Sequence, residues 1–291
     1  MPELPEVETI RRDLAVVLTG ETICAVKILN PKTVFPSAAF FKKALVGQKV
    51  KGIRRRGKLL IFALPLNFLL VHLKMTGQLI YQNKKQKIAG GHSLKAGFLD
   101  SAVGGELPNK HTRVIIDFKN GGRLFFNDLR KFGYLKIVTA DQLAVILKNN
   151  YGPEPLTKEF SLVRFKEILK NKKTKIKVLL LDQKRLAGLG NIYVDESLFA
   201  ARVNPTRLAG SLKPGELEKL WSAINQVIKF AIKQRGTTFN NYRDSQGRRG
   251  NFSRFLKVYG RSGEACLVCG RPLSRIKIAG RGTHFCAHCQ K

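Results

Sequence analysis

The sequence predicts a multidomain α+β protein with a β-rich N-terminal part, a helical C-terminal part and a cysteine-rich module at its end. Short runs rich in Val, Ile, Leu and Phe, bounded by Gly, Asn or Pro, dominate the first half of the chain. Apolar residues at helical spacing dominate residues 161–234. Four of the five cysteines lie beyond residue 265. These three observations define the predicted fold class.

The first predicted element is an amphipathic helix over residues 6–18. Val7, Ile10 and Leu14 recur at spacings of three and four residues, as one buried face of a helix requires. Pro5 suits the first helical position, because the missing N–H of a proline is not needed there. The chain therefore enters its β-rich part through a helix.

Strands are predicted next, because the apolar runs become short and turn residues separate them. In the first strand, we expect Cys24 to be a small buried residue. Residues 83–110 are rich in Lys and Gly and show little periodicity, which predicts a long surface loop. The predicted strands cover residues 23–29, 58–64, 68–73, 113–118, 123–127 and 133–138.

A domain boundary is predicted at Tyr151–Pro155, where turn residues cluster and the composition changes. Beyond it, helical patterns occupy 161–170, 175–183, 191–200 and 214–234, the last beginning with a proline and acidic residues that suit a helix N-terminus. A loop is predicted over 236–252. The resulting predicted domains are 1–152, 153–255 and 256–291.

The C-terminal module contains two C-x2-C pairs whose spacing is typical of a four-cysteine zinc site. Its members are Cys266, Cys269, Cys286 and Cys289. Two disulfides are the alternative, but the N-terminus carries no secretory signal pattern. Four thiolates fill all tetrahedral positions, so the predicted single Zn²⁺ is structural. His284 and His288 lie near enough to substitute, but they are not needed.

The charge of the chain predicts a polyanionic partner. Lys and Arg total 53 against 20 Asp and Glu, which gives a net charge of +33. Nucleic acid is the commonest polyanion in cells. A membrane surface is the alternative, but the charge is spread along the whole chain. The most apolar stretch, 59–73, is interrupted and too short to span a bilayer. We therefore expect a soluble, intracellular protein without a membrane partner.

The N-terminal pair Pro2-Glu3 is a candidate reaction centre. Removal of Met1 would free a secondary amine with a pKa of about 7.7–8.0, so that much of it is unprotonated near neutral pH. Attack of this amine on an aldehyde-level carbon gives an iminium ion directly. Glu3 would be placed to move protons at that carbon. Alternatively, the pair merely leads into the helix, and these residues alone do not decide between the two.

Three further motifs are candidates for nucleic-acid contacts. The turn 188–191, Gly-Leu-Gly-Asn, precedes a predicted helix and suits a phosphate, although Asn191 could instead only cap that helix. The segment 54–58 is Arg-Arg-Arg-Gly-Lys, and the alternative there is a solvated basic turn. A third group could wedge into stacked bases, although its Met and Phe are by composition core residues. The third group comprises His72, Met75, Arg130 and Phe132.

Six motifs together resemble the bacterial formamidopyrimidine-DNA glycosylase family. They are MPELPEVETIRR, RRRGKLLIF, HLKMTG, NDLRKFG, GLGNIYVDESLF and VYGRSGEACLVCG…RGTHFCAHCQK. The resemblance runs from Met1 to Lys291 in the same order and leaves mainly residues 83–110 unmatched. It implies an N-terminal β-sandwich with flanking helices, a helical domain with a helix–two-turn–helix element, and a four-cysteine zinc-finger β-hairpin.

The resemblance also implies roles for catalytic residues. Pro2 matches the nucleophile that attacks C1′ of the damaged nucleoside, and Glu3 matches the carboxylate that protonates the opening sugar. Glu6 matches a supporting carboxylate. Lys58 matches a lysine that contacts the DNA backbone and donates a proton during β-elimination. Arg281, in the zinc hairpin, matches an arginine that grips phosphates beside the lesion and is linked to δ-elimination.

The remaining matched positions are expected to contact DNA. Met75, Arg130 and Phe132 match residues inserted where the damaged nucleotide leaves the stack. His72 lies beside this group in the sequence motif. The other expected DNA contacts are His111, Lys172 and Asn191.

The implied activity is base excision repair by a bifunctional glycosylase and abasic-site lyase. The expected substrates are oxidised purines, 8-oxoguanine and formamidopyrimidines, in double-stranded DNA, together with abasic sites. The expected state is a monomer in the bacterial cytoplasm, associated with the nucleoid.

Two alternatives to this activity remain open. An endonuclease VIII-like relative would prefer oxidised pyrimidines, but its usual start is Pro-Glu-Gly-Pro-Glu, and this chain has Leu4. The segment Phe239–Phe252 resembles the loop that covers an oxidised purine, although Arg248 and Arg249 lie in its middle. A non-catalytic zinc protein that binds DNA is the other alternative.

Overall fold

The computed structural model describes residues 2–85, 87–91, 106–237 and 251–291. The chain divides into two compact units, one of residues 1–147 with 234–251 and the other of 148–233 with 252–291. The predicted domain boundaries after residues 152 and 255 stay predictions. Met1, most of the predicted loop 83–110, and the segment containing Arg248 and Arg249 lie outside the described residues.

The first unit begins with helix α1, Leu4–Leu18, which starts two residues earlier than predicted. Glu3 caps the helix: its side chain accepts the backbone N–H of Glu6, while Glu6 Oε2 accepts the backbone N–H of Glu3 at 2.9 Å. This reciprocal pair satisfies two donors that a helix start otherwise leaves unpaired. The first turn therefore includes Glu6, and Pro5 lies at the second helical position rather than the first.

Two five-stranded sheets follow, with strand orders β1-β8-β9-β6-β7 and β2-β10-β5-β4-β3. Neighbouring strands are antiparallel except for the parallel pair of β10 and β2. A second helix, α2, spans Ala38–Leu45. The strands are β1 Ile23–Ile28, β2 Val34–Phe35, β3 Gly52–Arg56, β4 Leu59–Ala63, β5 Phe68–His72, β6 Gly77–Gln82, β7 Lys87–Gly91, β8 Thr112–Phe118, β9 Arg123–Asp128 and β10 Tyr134–Val138.

The two sheets share one hydrophobic core, which confirms the predicted β-sandwich. Leu60 and Phe62 of β4 and Leu124 and Phe126 of β9 belong to the same buried cluster. Alternate side chains of a strand point to opposite faces, so each sheet contributes one face to this core. The first sheet also buries its other face in a smaller cluster that includes Ile80 of β6. This double burial gives a rigid frame for the turns at the strand ends.

The prediction of a long surface loop over residues 83–110 is wrong at β7. This strand pairs with β6 in register, with Ile80 opposite Ala89. Its glycines suggested a loop, but they serve packing instead. A Cβ atom on Gly90 would lie 2.4 Å from Cγ1 of Ile10, so helix α1 packs directly against a strand without side chains at that point.

One other expectation in this unit also fails, and one alternative is excluded. Cys24 lies in β1 but is exposed, because the pairing of β1 with β8 shifts between Ile23 and Ala25 and the alternation of faces is broken there. The basic segment 54–58 is not a solvated turn, because β3 extends to Arg56 and Lys58 is buried. Neither outcome has a local signal in the sequence. The exposure of Cys24 depends on irregular strand pairing, and the partial burial of the basic segment depends on charge neutralisation by a distant residue.

The second unit contains the four helices predicted beyond residue 160. The most buried is α6, Asn191–Ala200, in which every residue from Tyr193 to Phe199 is buried. A helix that is buried all round lies at the centre of its unit. Helix α3 spans the division between the two units. The remaining elements are α3 Ala140–Asn150, α4 Leu162–Leu169, α5 Ile176–Leu181, α7 Pro214–Lys233 and the hairpin strands β11 Ser274–Ile278 and β12 Arg281–Phe285.

Candidate active site and nucleic-acid interface

The four C-terminal cysteines converge on one point of the second unit, as their spacing predicts. The sulfurs of Cys266, Cys269, Cys286 and Cys289 all lie within 4.8 Å of one another, and Cys269 Sγ is 3.6 Å from Cys286 Sγ. Four sulfurs bound tetrahedrally to zinc at about 2.3 Å lie roughly 3.8 Å apart, so the donor set fits the metal. No disulfide joins them. Zn²⁺ bound here stabilises the fold and offers no open position to a substrate.

The zinc module is fixed to the central helix of its unit. Its buried cluster includes Val258, Leu273 and two of the cysteines, together with Phe199 of α6. Gln290 joins the module to the end of that helix: its Oε1 accepts the Cys286 N–H at 2.8 Å and its Nε2 donates to the Val203 carbonyl at 2.8 Å. The zinc module is therefore attached to α6 by both packing and hydrogen bonds.

A buried polar network holds the strand that begins with Arg281. Lys177 and Asp195 are both fully buried, with Nζ and Oδ1 2.6 Å apart. Lys177 Nζ also donates to the Gly282 carbonyl at 3.1 Å, and the other Asp195 oxygen accepts the His284 N–H at 2.9 Å. Burial raises the pKa of Asp195 to about 6, although the charge of Lys177 opposes this shift. The network fixes the backbone on one side of Arg281.

Arg281 itself is exposed at the start of β12. It follows a two-residue turn of Ala279 and Gly280, whose φ angles of 45° and 77° are those of a tight hairpin turn. The turn therefore presents the guanidinium group to solvent from a rigid base.

Asn191 contacts this hairpin as well, which was not predicted. Its Nδ2 donates to the Gly282 carbonyl at 2.9 Å, while its Oδ1 is buried without a hydrogen-bond partner among the described residues. The residue that caps α6 is Gly190, so the alternative in which Asn191 only caps the helix is wrong. Lys172 lies elsewhere in the unit, after the end of α4, where its carbonyl accepts the Gly210 N–H at 2.9 Å.

In the first unit, the N-terminal residues are buried and held by carboxylates. Pro2, Glu3 and Glu6 are all buried. Glu6 Oε1 accepts two hydrogen bonds from Thr237, one from its N–H at 2.8 Å and one from its hydroxyl at 3.0 Å. The other oxygen of Glu6 holds the Glu3 N–H. One carboxylate therefore fixes the backbone next to Pro2 to the segment that returns to this unit near residue 237.

Lys58 lies on the turn between β3 and β4 and is 5% exposed. The turn is held by Arg55, whose Nη1 donates to the Gly57 carbonyl at 2.9 Å. Arg55 in turn pairs with Glu8 of helix α1, with Nε and Oε2 3.1 Å apart. Burial raises the pKa of Glu8, but hydrogen bonds from Arg11 and Arg12 and the charge of Arg55 outweigh it and lower the pKa to about 2. Glu8 is therefore ionised at any physiological pH.

His72 is a neutral hydrogen-bond acceptor rather than a cation. Burial, with the charges of Lys74 and Lys58, lowers its pKa to about 3. Its Nδ1 accepts the Lys74 N–H at 3.0 Å, and its ring lies 5.7 Å from the ring of Tyr134. His72 therefore shapes the turn that follows β5. His111 is partly buried, and burial together with Lys110 and Arg113 lowers its pKa too.

Met75, Arg130 and Phe132 form one exposed cluster, although they come from two turns. Met75 is 42% and Phe132 53% exposed, so the alternative that they are core residues is wrong. Arg130 connects them: its Nη1 lies 3.1 Å from the Met75 sulfur, and its guanidinium carbon lies 4.7 Å from the centre of the Phe132 ring. An exposed Met, Arg and Phe on rigid turns form a surface suited to insertion between bases.

Comparisons with known proteins agree with this arrangement. Sequence profiles of the formamidopyrimidine-DNA glycosylase N-terminal domain, the formamidopyrimidine-DNA glycosylase H2TH domain and a zinc finger found in FPG and IleRS match residues 1–135, 151–242 and 263–291. The formamidopyrimidine-DNA glycosylase of Heliobacterium modesticaldum is 42% identical over 295 residues and that of Pelotomaculum thermopropionicum 40% over 294, each covering 99% or more of both chains.

The chain belongs to the formamidopyrimidine-DNA glycosylase family.

Solved structures of this family share the fold. Lactococcus lactis Fpg in complex with DNA containing an abasic site superimposes with a TM-score of 0.86 at 37% identity and full coverage of both chains. MutM in complex with DNA containing carbocyclic 8-oxo-G gives 0.85, also at 37% identity and full coverage. The chain is thus a DNA glycosylase with one structural zinc ion, and the resemblance based on six motifs is confirmed. Among the described residues of this glycosylase, no helix is long and apolar enough to cross a membrane.

Sequence reasoning missed several residues that organise this glycosylase. Asp128 and Lys177 are buried charged groups with distant partners along the chain, Thr76 for Asp128 and Gly282 for Lys177. Asp195 is the buried ion-pair partner of Lys177. Glu8, Asp128 and Asp195 were part of quoted motifs, but their pairings, such as that of Glu8 with Arg55, were not foreseen. A charged residue inside an apolar run, such as Lys177, is the one local signal that could have identified a buried pair.

Proposed function

We propose that this glycosylase excises 8-oxoguanine and formamidopyrimidines from duplex DNA through a Schiff base on Pro2, and then cleaves the strand by β,δ-elimination. The observation that carries the proposal is the burial of Pro2 and Glu3 at a helix start whose backbone is fixed by Glu6. The lesion class is supported by the relatives, whose solved complexes contain DNA with Fapy-dG, 8-oxo-G or abasic sites.

The proposed chemistry begins with the free amine of Pro2, after loss of Met1. The amine attacks C1′, the bond from C1′ to the base breaks, and the damaged base leaves. Opening of the sugar gives an iminium ion between the Pro2 nitrogen and C1′. The positive nitrogen makes the C2′ proton acidic, so loss of that proton expels the 3′ phosphate. A second elimination expels the 5′ phosphate and leaves a one-nucleotide gap.

Four side chains have proposed roles in this scheme. Glu3 protonates the sugar oxygen as the ring opens, and Glu6 supports the same centre by holding the backbone. Lys58, on a turn fixed by Arg55, contacts the backbone phosphate and donates a proton during β-elimination. Arg281 grips the phosphates beside the lesion and favours the second elimination, from a hairpin fixed to α6.

The damaged base must leave the helix before this chemistry can begin. We propose that Met75, Arg130 and Phe132 fill the space that it vacates, which offsets the few kcal/mol lost on unstacking. The net charge of +33 supports a strong, salt-dependent attraction to the duplex. The proposed remaining DNA contacts are His72, His111, Lys172 and Asn191. We further propose that the glycosylase is a monomer that works in the cytoplasm at the bacterial nucleoid.

Borohydride trapping tests the proposal directly. Protein whose mass shows loss of Met1 is incubated with duplex DNA carrying an abasic site, and borohydride then reduces any iminium to a stable covalent adduct. We expect an adduct with the processed protein, none with protein that retains Met1, and a sharp loss with Pro2→Gly. Unchanged trapping by Pro2→Gly would refute Pro2 as the nucleophile.

Lesion preference needs a second assay. Single-turnover excision from duplexes carrying 8-oxoguanine or thymine glycol compares an oxidised purine with an oxidised pyrimidine. We expect faster excision of 8-oxoguanine. The opposite ranking would indicate the endonuclease VIII-like alternative while leaving the Schiff-base chemistry intact.

A further inference from the structure

The exposed cluster of Met75, Arg130 and Phe132 stands on two turns with unusual backbone conformations. The first turn, residues 73–77, is closed by a hydrogen bond from the Gly77 N–H to the Leu73 carbonyl at 2.8 Å. The second turn, residues 128–133, follows β9. The residue before Met75, Lys74, has a φ angle of 49°, and the residue before Phe132, Lys131, has one of 60°. Side chains other than glycine rarely adopt such angles, so surrounding contacts must hold both turns.

Asp128 supplies those contacts. It ends β9, it is 1% exposed, and each of its carboxylate oxygens is used. Oδ1 accepts the Thr76 hydroxyl and also the Arg130 N–H at 3.2 Å. Oδ2 accepts the Gly133 N–H at 2.7 Å. One carboxylate thus binds the residue after Met75, the backbone of Arg130 and the residue after Phe132.

Further contacts place Asp128 at a fixed point of the sandwich. Its backbone N–H donates to the His111 carbonyl at 2.9 Å, and its own carbonyl accepts Arg113 Nε at 2.9 Å. Close packing at Gly133 completes the turn: an added Cβ there would lie 2.7 Å from the Phe126 ring and 3.1 Å from Asp128 Oδ2. The carboxylate therefore joins the two turns to the rigid sheet and not only to each other.

We infer that Asp128 is a positioning residue that assembles Met75, Arg130 and Phe132 into one preformed insertion surface before DNA binds. The inference rests on the proposed function, because it assigns Asp128 to the step in which the lesion leaves the helix. Its physical reason is the entropy of ordering. Two independent turns must each be ordered at every insertion event, whereas turns already joined by a carboxylate incur that cost during folding.

The variant Asp128→Asn weakens this link with a minimal change of shape. A carboxylate accepts hydrogen bonds at two oxygens, whereas an amide accepts at one and donates from the other position. An amide at residue 128 therefore places an N–H group against either the Gly133 N–H or the Arg130 N–H. Since the Thr76 hydroxyl can turn to accept from the amide, the loss in either orientation falls on the second turn, where two N–H donors then face each other.

The test compares two DNA substrates in single-turnover excision. The first carries 8-oxoguanine paired with cytosine, and the second carries 8-oxoguanine inside a bubble of unpaired bases, where the lesion is already unstacked. We expect Asp128→Asn to slow excision from the paired substrate by roughly 10- to 100-fold, equivalent to about 1.4–2.7 kcal/mol. Excision from the bubble should change by less than about threefold, since no insertion step is needed there.

Two further variants control the experiment. Thr76→Val removes one hydroxyl from the same link, and we expect the same selective loss at smaller size. Asp117→Asn makes the same chemical change on the neighbouring strand β8, where the partly buried Asp117 lies 3.4 Å from the exposed Arg123, and we expect no selectivity. If Asp128→Asn does not fold, as judged by thermal unfolding, Thr76→Val carries the test.

The outcomes separate the inference from the proposed function. Equal slowing on both substrates, or no slowing on either, would overturn the positioning role. Borohydride trapping on abasic DNA, with protein that has lost Met1 and carries no substitution, tests Pro2 independently. Failure of that trapping would count against the proposed chemistry, whereas trapping together with unselective Asp128→Asn would count against the inference alone.

Discussion

Nε of Arg55 lies 3.1 Å from Oε2 of Glu8, so strand β3 is joined by an ion pair to the helix that begins behind Pro2. Arg55 also donates to the carbonyl of Gly57, the residue before Lys58. The carboxylate of Glu8 thus connects the helix behind the proposed nucleophile to the turn that carries the proposed proton donor. The position of the proposed nucleophile, Pro2, relative to the proposed proton donor, Lys58, therefore depends on the ion pair between Arg55 and Glu8.

Glu8→Gln should destabilise the protein and change its response to acid. The pKa of Glu8 is lowered from 4.5 to about 2, so the unfolded chain takes up a proton more readily as the pH falls through that window. The stability that the ionised group contributes is present above pH 4.5 and is lost toward pH 2. Allowing for solvent screening, we expect Glu8→Gln to lower the free energy of unfolding by about 1–2 kcal/mol at pH 7. The free energy of unfolding of the variant should also fall less steeply with decreasing pH below 4.5, as measured by urea denaturation.

A surface pair provides the control for Glu8. Glu167 and Arg164 pair at 2.8 Å on α4 with both side chains more than half exposed, so Glu167→Gln should cost less than about 0.5 kcal/mol. If the unfolding free energies of Glu8→Gln and of the protein without substitutions fell equally steeply at acid pH, the lowered pKa of Glu8 would be contradicted.

His72 should stay neutral across the physiological range. Its pKa is lowered from 6.5 to about 3, so below pH 6.5 the unfolded chain binds a proton at His72 and the folded protein does not. This difference in proton binding should lower the free energy of unfolding by about 2 kcal/mol between pH 7.5 and pH 5. The variant His72→Asn should not show this decrease. Denaturation at the two pH values gives the difference. A proton resonance of His72 that titrates near pH 6.5 would contradict the prediction.

Phe132→Ala should impair excision and spare the fold. The ring is 53% exposed, so the free energy of unfolding should change by no more than about 0.5 kcal/mol. Excision of a base-paired lesion should slow about tenfold, because the ring no longer replaces lost stacking. Leu66→Ala removes another exposed apolar side chain, on the turn after β4, and should leave excision unchanged. Equal effects of the two variants would argue against insertion.

The buried pair of Lys177 and Asp195 should show strong coupling. Lys177→Met leaves a buried carboxylate without its partner and should cost about 3–5 kcal/mol. Lys177→Met combined with Asp195→Leu should recover part of this loss, since the Gly282 carbonyl and the His284 N–H still lose their partners. Fluorescence of Trp221, the sole tryptophan, reports unfolding of this unit from α7. Lys166→Met removes an exposed partner of Glu218 as a control. Additive effects of the two substitutions would contradict the coupling.

Zinc should protect four of the five thiols. The exposed Cys24 should react rapidly with a thiol reagent, while the cysteines of the zinc site react only after chelation. Metal analysis should give one zinc ion per chain, and Cys24→Ser should abolish the rapid phase. Fewer than five reactive thiols after chelation and denaturation would indicate disulfides instead.

Elements with strong local patterns could be predicted from the sequence. Helix α1, the helices of the second unit and the zinc cysteines each depend on spacings that lie within one short segment. Strand β7 could not be predicted, because its glycines are explained only by the approach of Ile10 from a distant helix. The exposure of Cys24 depends on an irregular pairing with β8, which no local pattern records.

The site shows the same division. Motif resemblance supplied Pro2, Glu3, Lys58 and Arg281, because their matches lie inside contiguous runs. The groups that hold the exposed cluster and Arg281 were not predicted, since Thr76 and Asp128 are 52 residues apart and Lys177 and Gly282 are 105 apart. A buried charge finds its partner through the register of the whole fold, and composition cannot reveal that partner.

The return of residues 234–251 to the first unit limits how this protein can exchange parts with its relatives. A chimaera with one crossover near residue 147 would combine Glu6 and Asp13 from one parent with Thr237 and Arg235 from the other. A recombinant in which both pieces of the first unit come from the same parent needs three crossovers. The N-terminal helix and a segment far downstream must therefore be inherited together.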